Sequence, residues 1–207
     1  MKKQLVIVGV VVLFFVIGFS GCTEEDSTDD TNEKLVTASL DTLTLTLDDL
    51  PEGYVKWSDD HNYSGESIQG MIPSEFYEIH FVFQDPENDT GYPWIGLSLY
   101  KFNSSKDANT VLQALSEQVT NSLNESKRTT PQTVEQIGNE SIYELYQGIK
   151  GEYYKYQNAT FSFIHFRMRN VVVYLFLEGM PNDETYYIIS TIDYAKIVES
   201  RINASLE

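Results

Sequence analysis

Two adjoining runs, residues 160–168 and 171–178, constrain the fold of this chain more than any other feature. The second run puts Val171, Val173, Leu175 and Leu177 on one side of an extended strand and Val172, Tyr174 and Phe176 on the other. Successive strand residues point to opposite faces, so neither side can be left to water. Such a strand belongs in the middle of a sheet that is covered above and below. Arg169 and Asn170 separate the two runs and suit a two-residue hairpin turn, with Asn tolerating the positive φ that such turns require.

The rest of the chain supplies neighbours and covers. Residues 75–84 alternate, with Tyr77, Ile79, Phe81 and Phe83 facing Phe76, Glu78, His80 and Val82 across the strand. A run of turn formers at 85–91 and an apolar stretch at 93–102 predict an antiparallel hairpin with a long loop. Leu43, Leu45 and Leu47 alternate with Thr42, Thr44 and Thr46, the pattern of a strand with one wet face. After a turn around Pro51 and Gly53, a short strand is expected at 54–57, a polar surface loop at 58–70, and a further strand at 142–149. Tyrosine-rich residues 151–158 follow; consecutive Tyr153 and Tyr154 must point to opposite faces if extended, which raises a stacking platform as an alternative to packing.

Two segments change to a helical period. Ser104 stands three residues before Asp107 as a capping-box variant, and Ala108, Val111, Leu112, Leu115, Val119 and Leu123 form one stripe. Pro181 and Asn182 open a closing helix with Asp183 and Glu184 in its first turn and Ile188, Ile192, Ala195, Val198 and Ile202 along its buried side. Strands, helix, strands, helix predict a single α+β domain at 35–207, an antiparallel sheet of about six strands packed with two helices. The order suggests a diverged duplication, although no residue-level repeat supports it.

The start of the chain concerns location. Lys2 and Lys3 precede an uncharged stretch at 5–21, and the stretch closes on Phe19-Ser20-Gly21 before Cys22, the only cysteine. That is the layout of an export signal, and the small residues before Cys22 resemble a lipobox. The expectation is a lipoprotein signal peptide at 1–21, lipid on Cys22, and an acidic disordered linker at 22–34 that carries no apolar residue. The alternative is an uncleaved signal anchor, since 17 uncharged residues sit at the short edge of the roughly 17 to 25 needed to span a bilayer. Either way the domain is tethered to the outer face of the cell membrane. With Cys22 lipidated, disulfides, zinc–cysteine sites and cysteine nucleophiles are excluded from the domain. The net charge of −17, with Lys and Arg unclustered, also excludes nucleic acid as a partner.

No cofactor or metal motif is present: there is no glycine-rich phosphate loop, nucleophile elbow or His-Glu-x-x-His. His61, His80 and His165 lack a third ligand at diagnostic spacing. His80 shares a strand face with Glu78, and His165 shares one with Arg167, so a polar cluster forms if those two strands are neighbours. Elimination and address together leave a non-enzymatic module that binds a small ligand or an envelope protein near Tyr54, Trp57 and His80. A cell-envelope hydrolase using Glu78, His80 or His165, and a passive structural surface protein, are the competing readings. Seven Asn-x-Ser/Thr sequons, at Asn62, Asn88, Asn103, Asn124, Asn139, Asn158 and Asn203, exceed the roughly two that 12 Asn and a Ser-plus-Thr share of 34 in 207 give by chance. They favour a glycosylated archaeal surface protein.

Three short motifs carry a resemblance. Leu50-Pro51-Glu52-Gly53-Tyr54, Ile137-Gly138-Asn139-Glu140 and the run from Phe166 through Arg169-Asn170 to Val173, followed by a closing helix, resemble a family of uncharacterised archaeal and bacterial surface lipoproteins. That family is similar in layout to PsbP/Mog1-like domains. The resemblance spans about residues 40–204 and implies the same α+β layout. Asn139 stands where the family leads one to expect Asp, and Arg169 where it leads one to expect Gly. It implies no catalytic residue.

Overall fold

The structure, a computed structural model, describes residues 33–62, 67–84, 93–122, 127–129, 135–149, 159–179 and 184–207. The leader, Cys22, Asn88, Asn124, Asn158 and Tyr153, Tyr154 and Tyr156 lie outside those residues. So do Pro181, Asn182 and Asp183. Lys34–Glu207 forms one compact unit.

Seven antiparallel strands make one sheet: β1 (Tyr54–Asn62), β2 (Glu75–Phe83), β3 (Trp94–Lys101), β4 (Lys127–Thr129), β5 (Glu140–Ile149), β6 (Ala159–Met168) and β7 (Val171–Gly179). Their spatial order is β1-β2-β3-β7-β6-β5-β4, so the strand apolar on both sides occupies the centre. Val171, Val172, Val173, Leu175 and Leu177 are all fully buried. Helix α1 (Ser105–Ser122) follows β3, and α2 (Glu184–Ala204) closes the chain. Six long strands and two helices match the expected α+β class; the seventh strand, the three-residue β4, was not among the expected elements.

Two local expectations change. The Leu/Thr alternation at 40–47 forms no strand but two 3-10 turns, Leu40–Thr42 and Leu47–Asp49. The segment comes to rest across the face of the sheet, against β1, β2 and β3, rather than beside an edge strand, and satisfies its backbone locally, with Leu43 N–H donating to Leu40 C=O and Thr46 closing a capping box with Asp49. Leu40, Leu43 and Leu45 still go inside. Conversely, the polar stretch beginning at Ser58 continues β1 as far as Asn62, because one side of an edge strand needs no apolar residues.

The β6–β7 turn also differs from expectation. Arg169, not Asn170, takes the positive φ, at 56°, which is the region that favours glycine. Asn139 steadies it by accepting the Arg169 N–H through Oδ1 at 2.8 Å, while its own N–H donates to Arg167 C=O at 2.8 Å. Asn170 is buried instead: its Oδ1 accepts the Val36 N–H at 2.8 Å and its Nδ2 donates to Phe102 C=O at 2.7 Å. One side chain thus ties the entering segment to the end of β3 and the central hairpin.

The covers are unevenly distributed. On one face of the sheet, Ile79, Phe81, Leu97, Leu99, Val173, Leu175 and Phe166 form the main core. The entering segment covers its β1–β3 half and α2 its β6–β7 half, through Ala195, Val198 and Ile202. On the other face α1 packs over β6 and β7, placing Ala108, Val111, Leu112 and Leu115 against Val172. A two-fold axis between antiparallel β3 and β7 would put both helices on one face. They lie on opposite faces, so the two halves are not related by that symmetry.

Candidate ligand-binding face

Of the four half-faces of the sheet, three carry a helix or the entering segment. Among the described residues the fourth, over β1, β2 and β3 on the α1 side, carries neither. Loop residues Ile68 and Met71 close one end of it, where they pack with Tyr100. The rest carries Trp57, Trp94, His80 and Glu78, with Ser98 buried among them.

A β-bulge builds its outer corner. Val55 pairs with Val82 and Lys56 with Phe81, but the next pair is Ser58 with His80, leaving Trp57 as the extra residue. The bulge turns Trp57 onto this face, the usual consequence of two residues opposing one. There its ring meets Trp94 with centroids 5.7 Å apart and planes at 50°, and Trp57 remains 63% exposed. From Trp94 an aromatic strip crosses the sheet: His80 is 6.4 Å from Trp94 and 6.1 Å from Phe176, and Phe176 is 6.0 Å from Phe163. Gly96 makes the strip possible, because a Cβ there would lie 2.0 Å from the Phe176 ring.

A polar line runs beside the tryptophans. Ser58 Oγ is 3.1 Å from His80 Nδ1, His80 Nε2 is 3.6 Å from Glu78 Oε1, and Ser98 Oγ donates to the same oxygen at 3.0 Å. With Ser58 donating to Nδ1, the ring proton sits on Nε2 and faces the carboxylate. Asp60 pairs with Glu78 across β1 and β2, which sets two carboxylates on neighbouring positions of one exposed face. The Tyr100 hydroxyl is pushed up to about 12, by burial first and then by the charge of Glu78.

Trp57 and His80 therefore come together, as the sequence suggested, but Tyr54 does not. It lies on the opposite face, 8% exposed, edge-on to Phe83 at 5.5 Å. The conditional cluster of His80, Glu78, His165 and Arg167 does not form, since β3 and β7 stand between β2 and β6. His165 is instead fully buried, its Nε2 3.7 Å from the equally buried Glu144 Oε2 on β5 and its ring 4.9 Å from Tyr174. His61 lies on the core side and meets Glu75 at 2.9 Å. Among the described residues no three His, Asp or Glu side chains are grouped to hold a metal. Of the described sequon residues, Asn62, Asn103, Asn139 and Asn203 are all exposed. Missing from the sequence reading were the bulge and the roles of Ser58 and Ser98. The Tyr54-Val55-Lys56-Trp57 register alone gives no sign that one residue will be skipped.

The fold places this chain among α+β domains built on one antiparallel sheet with a helix on each face. A solved structure similar to it is the extracellular domain of PknH from Mycobacterium tuberculosis, with a TM-score of 0.52 over 84% of this chain and 98% of that one. Identity is 10%, so the likeness is one of fold. No protein-family model matches the sequence, and no curated protein matches it.

Proposed function

We propose that this chain is a non-enzymatic ligand-binding module, displayed outside the cytoplasm and tethered through lipid on Cys22. The observation that carries the binding reading is that both tryptophans of the chain, Trp57 and Trp94, stand side by side on the half-face that, among the described residues, carries no helix or entering segment. A tryptophan pair with one ring 63% exposed has a physical reason to exist where something packs on it. The leader, the acidic linker and the sequons at exposed Asn62, Asn103, Asn139 and Asn203 support the location. So do the motif resemblance to surface lipoproteins and the likeness in fold to an extracellular domain.

The test is a small-molecule screen of the full-length protein read by tryptophan fluorescence, with Trp57→Ala as the control. Binders whose signal is lost in that variant are expected; an uninterrupted lack of binders would end this reading. Fractionation tests the tether: Cys22→Ser should release the protein from membranes.

One observation favours a second reading, hydrolysis: Ser58, His80 and Glu78 stand in line. Against it, the Glu78 separation of 3.6 Å exceeds a hydrogen bond. A serine-directed fluorophosphonate that labels Ser58, and fails to do so in His80→Ala, would make hydrolysis the better account.

A further inference from the structure

We propose that the open half-face binds a small organic cation, an alkylated ammonium compound, with its apolar substituents against Trp57 and Trp94 and its charge balanced by Glu78 and Asp60. This rests on the ligand-binding reading and gives the ligand its chemistry. Three observations lead to it.

The first is size. Among the described residues the uncovered patch runs from the row of Trp94 and Val82 to the row of Glu78 and Ser98, four residue steps along the strands, and spans three strands. At about 3.4 Å per residue and about 4.8 Å between strands this is an area on the order of 200 Å². A stable protein partner needs about 800 Å² from each side. The patch therefore suits a small molecule rather than a folded partner.

The second is charge. Alternation sends Lys56 and Lys101 to the opposite face, where Lys56 meets Asp59 at 3.2 Å and Lys101 meets Glu75. On the patch itself the described residues of β1, β2 and β3 include Glu78 and Asp60 and no Lys or Arg. Two carboxylates directly opposite on adjacent strands repel, and a ligand cation relieves that repulsion. The third is ring type. Tryptophan is the aromatic side chain that attracts cations most strongly over its face, and the bulge exposes one of the pair to solvent beside the carboxylates.

The test uses the full-length protein in a nonionic detergent and reads tryptophan fluorescence, excited at a wavelength that the 14 tyrosines do not absorb, so that the signal comes from the patch that holds both of the chain's 2 tryptophans. Choline is titrated against its uncharged isostere 3,3-dimethylbutan-1-ol, with glucose and cellobiose as neutral ring ligands. Choline is expected to bind at least on the order of tenfold more tightly than the isostere, and to weaken as salt is raised. Glu78→Gln should reduce its affinity on the order of tenfold, and Trp57→Ala by at least as much. Trp57→Phe should restore part of it. Equal affinity for choline and the isostere, or sugar binding with choline silent, would overturn the cationic ligand and leave the binding module standing. No signal from any of these probes would overturn the cationic ligand too, while the wider screen still decides the parent reading.

Discussion

Glu75→Gln should loosen the attachment of the entering segment to the sheet, and the structure sets the size of the effect. Glu75 is a buried carboxylate at the start of β2. Its Oε1 accepts hydrogen bonds from the Leu40 N–H, Ser39 Oγ and His61 Nε2, each at 2.9 Å, and its Oε2 meets the Lys101 ammonium. Burial alone would raise its pKa, but the Lys101 bond, then those from Leu40, His61 and Ser39, outweigh it and bring the group from 4.5 down to about 2. At about 1.4 kcal/mol per pKa unit this is a contribution of about 3 kcal/mol. Because the folded pKa is the lower one, the contribution is fully present above the unfolded value of 4.5 and disappears as pH falls through about 2. Removing the charge also leaves Lys101 without its counter-ion, a change that costs about 3 to 5 kcal/mol in comparable buried pairs. Urea denaturation of both proteins at pH 7 and pH 3 is the assay. The variant should be about 3 kcal/mol less stable at pH 7, with the gap reduced by about half at pH 3. Native-state hydrogen exchange should show the Leu40 amide losing protection. A gap below about 1 kcal/mol at pH 7, or the same gap at both pH values, would refute the reasoning.

Two further substitutions test the parts that shape the binding face and the core. Gly96→Ala should destabilise the domain by about 1 to 3 kcal/mol, since its Cβ would displace the Phe176 ring; altered near-UV circular dichroism checks that the aromatic strip has moved. Asn170→Ala should cost about 2 kcal/mol in thermal or urea unfolding, because it leaves the Val36 N–H and the Phe102 C=O without their partner in a buried place.

The β6–β7 hairpin, the central place of β7, both helices and their buried stripes were legible because each is written in a local period. Val171 to Leu177 can be read as doubly buried without knowing any neighbour. The Leu/Thr alternation at 40–47 carried the same two-residue period and misled, because alternation reports which side chains want burial and not whether the segment comes to rest beside a strand or across the face of the sheet. The resemblance motifs sit at turns, and there the expected glycine at 169 found its reason in a positive φ, which Arg169 tolerates with help from Asn139. The site was legible only in part. Trp57 and His80 stood out by type, but what joins them is a register shift at Lys56 and Ser58, and what removes Tyr54 is the face it lands on. His165 looked like a partner for His80, yet two strands separate them and Glu144 takes its place. Sequence by itself determined which residues must be hidden and how the strands alternate, since hydrophobic burial acts residue by residue. Only the tertiary structure decided which half-face stays uncovered, because that depends on where two helices and an entering segment come to rest on a sheet whose strand order is set by pairing across the whole chain.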